Sequence, residues 1–238
     1  MENTLENSLV SPSPTRKFSA RAALVDLHEN TRNLLSECFR QFGIESVPMS
    51  ADRAERLTSE KFEAVVVPVG GKVKPLLESA RRSRSNSRMV IYGLGGTAIE
   101  ALKLSPFGIN AIFHEPLERS AALKLVRSTQ MLVRHEFRRY ARVPVITQVT
   151  VQAGSNHRQF EANSVEISSG GMSLKCANEM ARGLPLEVSF ALLTLPRVWV
   201  RGTVTWTKTA DKIFGIRFDP SDDRRKRVKE WVEMYLES

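Results

Sequence analysis

The chain has 238 residues, of which 42% are hydrophobic and 26% charged, with a formal net charge of +9. That length accommodates one large domain or two small ones with apolar cores, and no apolar run approaches the ~20 residues a membrane helix needs. Cys38 and Cys176 lie far apart without metal-ligand spacing, which excludes a disulfide scaffold and suits two reduced thiols in a cytoplasmic protein.

Residues 1–18 are polar, carry Ser-Pro-Ser-Pro at 11–14 and lack the basic start and apolar stretch of a secretory signal; they read as a disordered tail. Residues 19–130 alternate between two patterns. Ala22–Leu27, Glu45–Met49, Phe62–Val69, Met89–Leu94 and Asn110–His114 are short apolar runs of strand type. Arg32–Phe42, Val73–Ala80, Ala98–Leu104 and Leu117 to about Glu136 repeat apolar residues at helical spacing, with Gly43 standing where a helix stops. Five apolar strands separated by helices predict a parallel sheet covered on both faces, a doubly wound α/β domain of flavodoxin-like type.

Residues 131–142, which overlap the end of that last helix, read as a linker that also serves as a ligand clamp. From 143 to 238 the runs become short and purely β: Val143–Val151, Phe160–Ile167, Gly171–Ala177, Leu186–Leu193, Val198–Thr207 and Ile213–Phe218, separated by turn residues. Six such strands predict a closed antiparallel barrel. Ser221 or Asp222 then caps a final helix whose Val228, Trp231, Val232 and Leu236 form one apolar stripe. Trp199, Trp206 and Trp231 fall within apolar patterns and are expected in the core. The basic run Arg224-Arg225-Lys226-Arg227 is expected on the solvent face of that helix rather than as a DNA-reading surface.

Two segments of the barrel half carry chemistry. Arg138-Arg139-Tyr-Ala-Arg142 precedes the first strand, and Glu166-Ile-Ser168-Ser-Gly170-Gly171 ends a strand in a turn. A guanidinium meets a phosphate, or the adjacent O6 and N7 acceptors of guanine, with two parallel N–H bonds, and its flat face stacks on a base. Glycines let a backbone approach a ligand without a Cβ in the way, and a serine hydroxyl both donates and accepts. Together these groups suit a guanine cyclic dinucleotide.

The barrel half resembles the PilZ domain, a bacterial cyclic di-GMP receptor family whose signature is R-x-x-x-R followed by D/N-x-S-x-x-G. Arg138 and Arg142 match the first part, and Ser168 and Gly171 the second; Gly202–Trp206, Gly215–Phe218 and the basic last helix stand where the family has such segments. The family has Asp or Asn where this chain has Glu166, one methylene longer and still able to accept from the guanine N1–H and N2–H edge. The resemblance implies that Arg138 and Arg142 grip phosphate and guanine, that Ser168 bonds a phosphate or base edge, and that Gly171 shapes the turn. Arg139 lies beside the motif as an additional candidate, as does Gly170.

The front half resembles a response-regulator receiver domain that has lost its chemistry. Asp26 and Glu29 lie near the first strand's end, where the family holds Mg²⁺. The third strand ends Val66-Val67-Pro68-Val69, without the phosphoacceptor carboxylate, the fourth ends Gly93-Leu94-Gly95, and Glu115 replaces the lysine before Pro116. Gly93–Gly96 lacks P-loop spacing and a following lysine. His28, His114, His135 and His157 show neither metal spacing nor a triad arrangement.

The reading is therefore a non-enzymatic cyclic di-GMP effector without cofactor, which couples the ligand to rearrangement between domains or of a protein partner, with the receiver-like surface available for homo-oligomer formation. The alternatives are a PilZ-like interaction module that no longer binds the nucleotide and, behind it, a nucleic-acid-binding protein, because clustered basic charge also attracts DNA or RNA.

Overall fold

The computed structural model describes residues 19–154 and 158–237; the expected tail at 1–18, and His157, lie outside them. The chain divides into two compact units that meet in sequence between Tyr140 and Ala141.

The first unit runs β1 (Ala20–Val25), α1 (Glu29–Arg40), β2 (Ile44–Met49), α2 (Arg56–Ser59), β3 (Ala64–Pro68), α3 (Lys74–Arg82), β4 (Val90–Leu94), α4 (Ala98–Lys103), β5 (Ile109–Phe113) and α5 (Arg119–Tyr140). The strands form one parallel sheet in the order β2-β1-β3-β4-β5. β3 and β4 are apolar throughout because both faces are covered. One face sends Ala64, Val66 and Tyr92 against Leu35 and Phe39 of α1 and Val126 of α5. The other sends Val65, Val67 and Ile91 against Leu57 of α2 and Leu76 and Leu77 of α3. Phe39, Tyr92 and Phe113 pack ring to ring, with centroids 5.4–6.5 Å apart. Burial pushes the Tyr92 phenol up to about 12 while its hydroxyl shares a 2.8 Å hydrogen bond with Thr129. Gly43, at φ +69°, closes α1 as its position in the sequence predicts.

α5 runs farther than the sequence pattern suggests. The helix expected to stop near Glu136 continues to Tyr140, so residues 131–140 of the segment read as linker and ligand clamp are helical. Val133 is fully buried and Phe137 packs on the same core as Phe39, so the apolar stripe persists beneath the arginines. Tyr140 anchors the end: its hydroxyl donates to the Arg84 carbonyl at 2.9 Å, and Lys61 Nζ lies 4.5 Å from its ring centroid.

The second unit contains β6 (Gln148–Ala153), β7 (Arg158–Ser168), β8 (Gly171–Lys175), β9 (Pro185–Leu192), β10 (Leu195–Lys208), β11 (Ile213–Phe218) and α6 (Arg225–Glu237). The strands close into an antiparallel barrel in the order β10-β11-β8-β7-β6-β9, with β9 pairing β10. Val149, Val151, Ile167, Leu174, Val188, Phe190, Val200 and Phe214 fill it, and Val228, Trp231 and Val232 of α6 join that core. The first strand starts later than expected: Val143 makes only an isolated bridge to Ile167, and Pro144, with no N–H to donate, interrupts the ladder before β6.

Asp222 sets the entry to α6. Its buried carboxylate accepts from the Arg201 and Arg224 backbone N–H groups at 2.9 and 3.0 Å and from the Arg224 guanidinium at 2.9 Å. The Arg224 guanidinium holds this carboxyl well below the usual carboxylate range. Of the two caps the sequence offers, Asp222 serves; the Ser221 hydroxyl donates instead to Asp219.

Candidate functional site

Arg142 is held by its neighbour. Val143 N–H donates to the Ile167 carbonyl at 2.7 Å and receives the reciprocal bond at 2.8 Å. This lays residues 141–143 beside the end of β7, and Arg142 Nη1 donates to Glu166 Oε1 at 3.0 Å. A register shift between Ser164 and Glu166 leaves Val165 as a bulge. With one extra residue, Ser164 and Ile167 are both buried while Glu166 faces outward beside Arg142.

β7 and β8 meet at a hairpin whose two loop residues are Ser169 and Gly170. The Ser168 hydroxyl donates to the Gly171 carbonyl at 2.9 Å, so its hydrogen is committed and its oxygen offers lone pairs. Gly170 is exposed, with open space where a Cβ would stand. Gly171 is not open: a Cβ there would land on the Ile216 carbonyl oxygen of β11. The missing side chain of Gly171 thus admits the neighbouring strand.

Strand register extends this face across the barrel. Ser168 pairs with Gly171, Gly171 with Arg217 and Arg217 with Thr203, forming one row. Glu166 pairs with Ser173, Ser173 with Gly215 and Gly215 with Trp206, forming the next. Trp206 lies flat on Gly215, where a Cβ would meet its indole, and is 37% exposed. Of the three tryptophans expected in the core, only Trp231 is buried; Trp199 is half-buried and Trp206 is on the outer surface. Arg217 and Trp206 join the candidate face only through pairing across β8, β11 and β10, which no local motif reveals.

The structure therefore gathers Arg142, Glu166, Ser168, Gly170 and Gly171 around one hairpin. Arg138 and Arg139 lie on the last turn of α5, in the first unit. Arg139 Nη1 donates to Glu136 Oε1 at 2.8 Å. Glu136 is 6% exposed, and among the described residues its Oε2 has no hydrogen-bond partner.

In the first unit, the loops at the strand ends are occupied by structural bonds. Both Asp26 carboxylate oxygens accept from Ala51 N–H, at 3.2 and 3.3 Å. Glu29 lies 4.0 Å from Arg32. β3 ends at Pro68, and Glu115, before a cis proline bond, packs its carboxylate against Gly95. Among the described residues, no three His, Cys, Asp or Glu side chains are grouped to hold a metal ion.

The family model described as "PilZ domain" matches residues 136–234. No curated protein matches the chain. Among solved structures, the PilZ domain of CeSA from a cellulose-synthesizing bacterium is 13% identical and covers 41% of this chain and 99% of its own, with a TM-score of 0.35. The chemotaxis response regulator CheY4 of Vibrio cholerae is 15% identical over 46% of this chain and 98% of its own, with a TM-score of 0.41. The receiver domain of the sensor histidine kinase PA1611 from Pseudomonas aeruginosa PAO1 is 16% identical over 48% of this chain and 98% of its own, with a TM-score of 0.40.

Proposed function

Because residues 136–234 are a PilZ domain, of a cyclic di-GMP receptor family, we propose that the chain is a non-enzymatic effector that binds cyclic di-GMP and couples it to rearrangement between its two units or of a protein partner. One observation carries this reading. The Arg142 guanidinium, the Glu166 carboxylate and the Ser168 hydroxyl surround a single hairpin on the outer face of the barrel. Arg142 supplies the planar fork for phosphate or for guanine O6 and N7. Ser168, its hydrogen already donated, accepts from a guanine N–H, and Glu166 offers a further acceptor to that edge. Gly170 leaves room at the loop. Arg138, of the family motif, and Arg139 beside it precede Arg142 in the chain.

Calorimetric titration with cyclic di-GMP and cyclic di-AMP tests the proposal. Binding should prefer the guanine ligand, and Arg142→Ala should weaken it by about 1.5–3 kcal/mol, the scale of a hydrogen bond to a charged group. No heat at tens of micromolar ligand, or equal affinity for the two ligands, overturns it.

The ion pairs Arg142–Glu166 and Arg139–Glu136 favour one rival. In that reading the arginines serve internal structure and the barrel is a protein-interaction module. A double Arg138→Ala, Arg142→Ala variant that keeps its partner while the wild type ignores the nucleotide would support it.

A further inference from the structure

Beside the motif hairpin the barrel carries a cleft of about 930 Å³, lined among others by Gly154, Pro185, Arg201, Thr203, Arg217 and Asp219. Strand register joins it to the motif. Pro185 pairs with Thr203, Thr203 with Arg217, Arg217 with Gly171 and Gly171 with Ser168. These residues form one band across five strands; at ~4.8 Å per strand, Thr203 lies ~14 Å around the barrel from Ser168.

The cations of this face are not equivalent. Arg142 holds Glu166 at 3.0 Å, and Arg201 lies 3.7 and 3.6 Å from Asp219 and Asp222. Arg217 is exposed, and among the described residues its guanidinium makes no hydrogen bond or ion pair. It stands where the cleft meets the motif row.

We propose that Arg217 is a ligand-contacting residue and that the cleft beside it receives the second nucleotide of the cyclic dinucleotide whose first nucleotide lies at Arg142 and Ser168. This inference rests on the function proposed above. The ligand has two phosphates and two bases, while the motif on the barrel supplies one guanidinium. Arg217 supplies the second and meets the far phosphate with two parallel N–H bonds. The flat base then lies along the cleft, where Pro185 and the Thr203 position form an uncharged wall and Gly154 adds no side chain.

Titration of the full chain with cyclic di-GMP, using Arg217→Ala and Thr203→Trp, tests the assignment. The first removes the cation; the second fills the cleft from an exposed strand position, where a large aromatic suits the pleat. Each should raise Kd at least tenfold with the melting temperature of the free protein unchanged, and Arg217→Lys should recover only part of the loss because an ammonium has no fork. Wild-type affinity in both Arg217→Ala and Thr203→Trp overturns this inference and leaves the proposed function standing. Absence of wild-type binding overturns both.

Discussion

Gly171 and Asp222 show how single residues set the barrel's tolerances. Gly171 has no space for a methyl group, because the Ile216 carbonyl occupies it. Gly171→Ala should therefore overpack the β8–β11 contact and destabilise the protein by about 1–3 kcal/mol, visible as a lower melting temperature. Gly170→Ala, at an open position, should cost far less. Asp222 makes a second case. Its folded-state pKa lies below its unfolded value, so the stability it contributes is complete above the unfolded pKa of about 4 and is lost as pH falls through that value toward the folded one. Urea midpoints measured from pH 6 down to pH 3 should fall in the wild type, and Asp222→Asn should remove part of that slope. At this scale the sequence exposes Ser168, Gly170 and the arginines, because they form short motifs. It hides Arg217 and Trp206, whose place depends on which strands pair and in what register. It also hides a packing reason for Gly171, since nothing local shows that β11 comes so near.

Among the elements, strands and helices are legible where their periodicity is undisturbed. β3, β4 and α1 lie close to where apolar spacing puts them because burial alone decides those residues. The end of α5 is obscured by charge. Arg138 and Arg139 follow the point near Glu136 where the apolar spacing is read to stop, yet Phe137 carries the buried stripe onward. Likewise Pro144 delays the first barrel strand within a run that looks uniformly β. α6 is legible from its cap and stripe, and its docking has a measurable weight. Trp231 is 7% exposed, sits in the barrel core and stacks on Tyr235 with ring centroids 5.4 Å apart. Trp231→Ala should cost about 3–5 kcal/mol, read from chemical denaturation, with loss of near-UV dichroism before far-UV signal if only α6 undocks.

Over the whole molecule the formal charge is +9, and in its basic clusters some cations are paired with carboxylates: Arg224 with Glu187 and Asp222, Lys226 with Asp223, Arg142 with Glu166. Such a surface should be less sensitive to salt than one built to track a nucleic-acid backbone. Between 50 and 200 mM salt, cyclic di-GMP affinity should change by less than about tenfold, against the roughly 10³–10⁵-fold expected of a protein making 6–10 phosphate contacts. A steeper fall, with displacement by bulk DNA, would favour the nucleic-acid reading. The pairing of Arg142 with Glu166 also bears on sensitivity. On the proposed function, a phosphate that takes the Arg142 fork must first displace this carboxylate, which is then free to turn to the guanine edge. An exposed pair of this kind is worth about 0.2–1 kcal/mol, which moves the half-response to a messenger level about 1.4- to 5-fold higher.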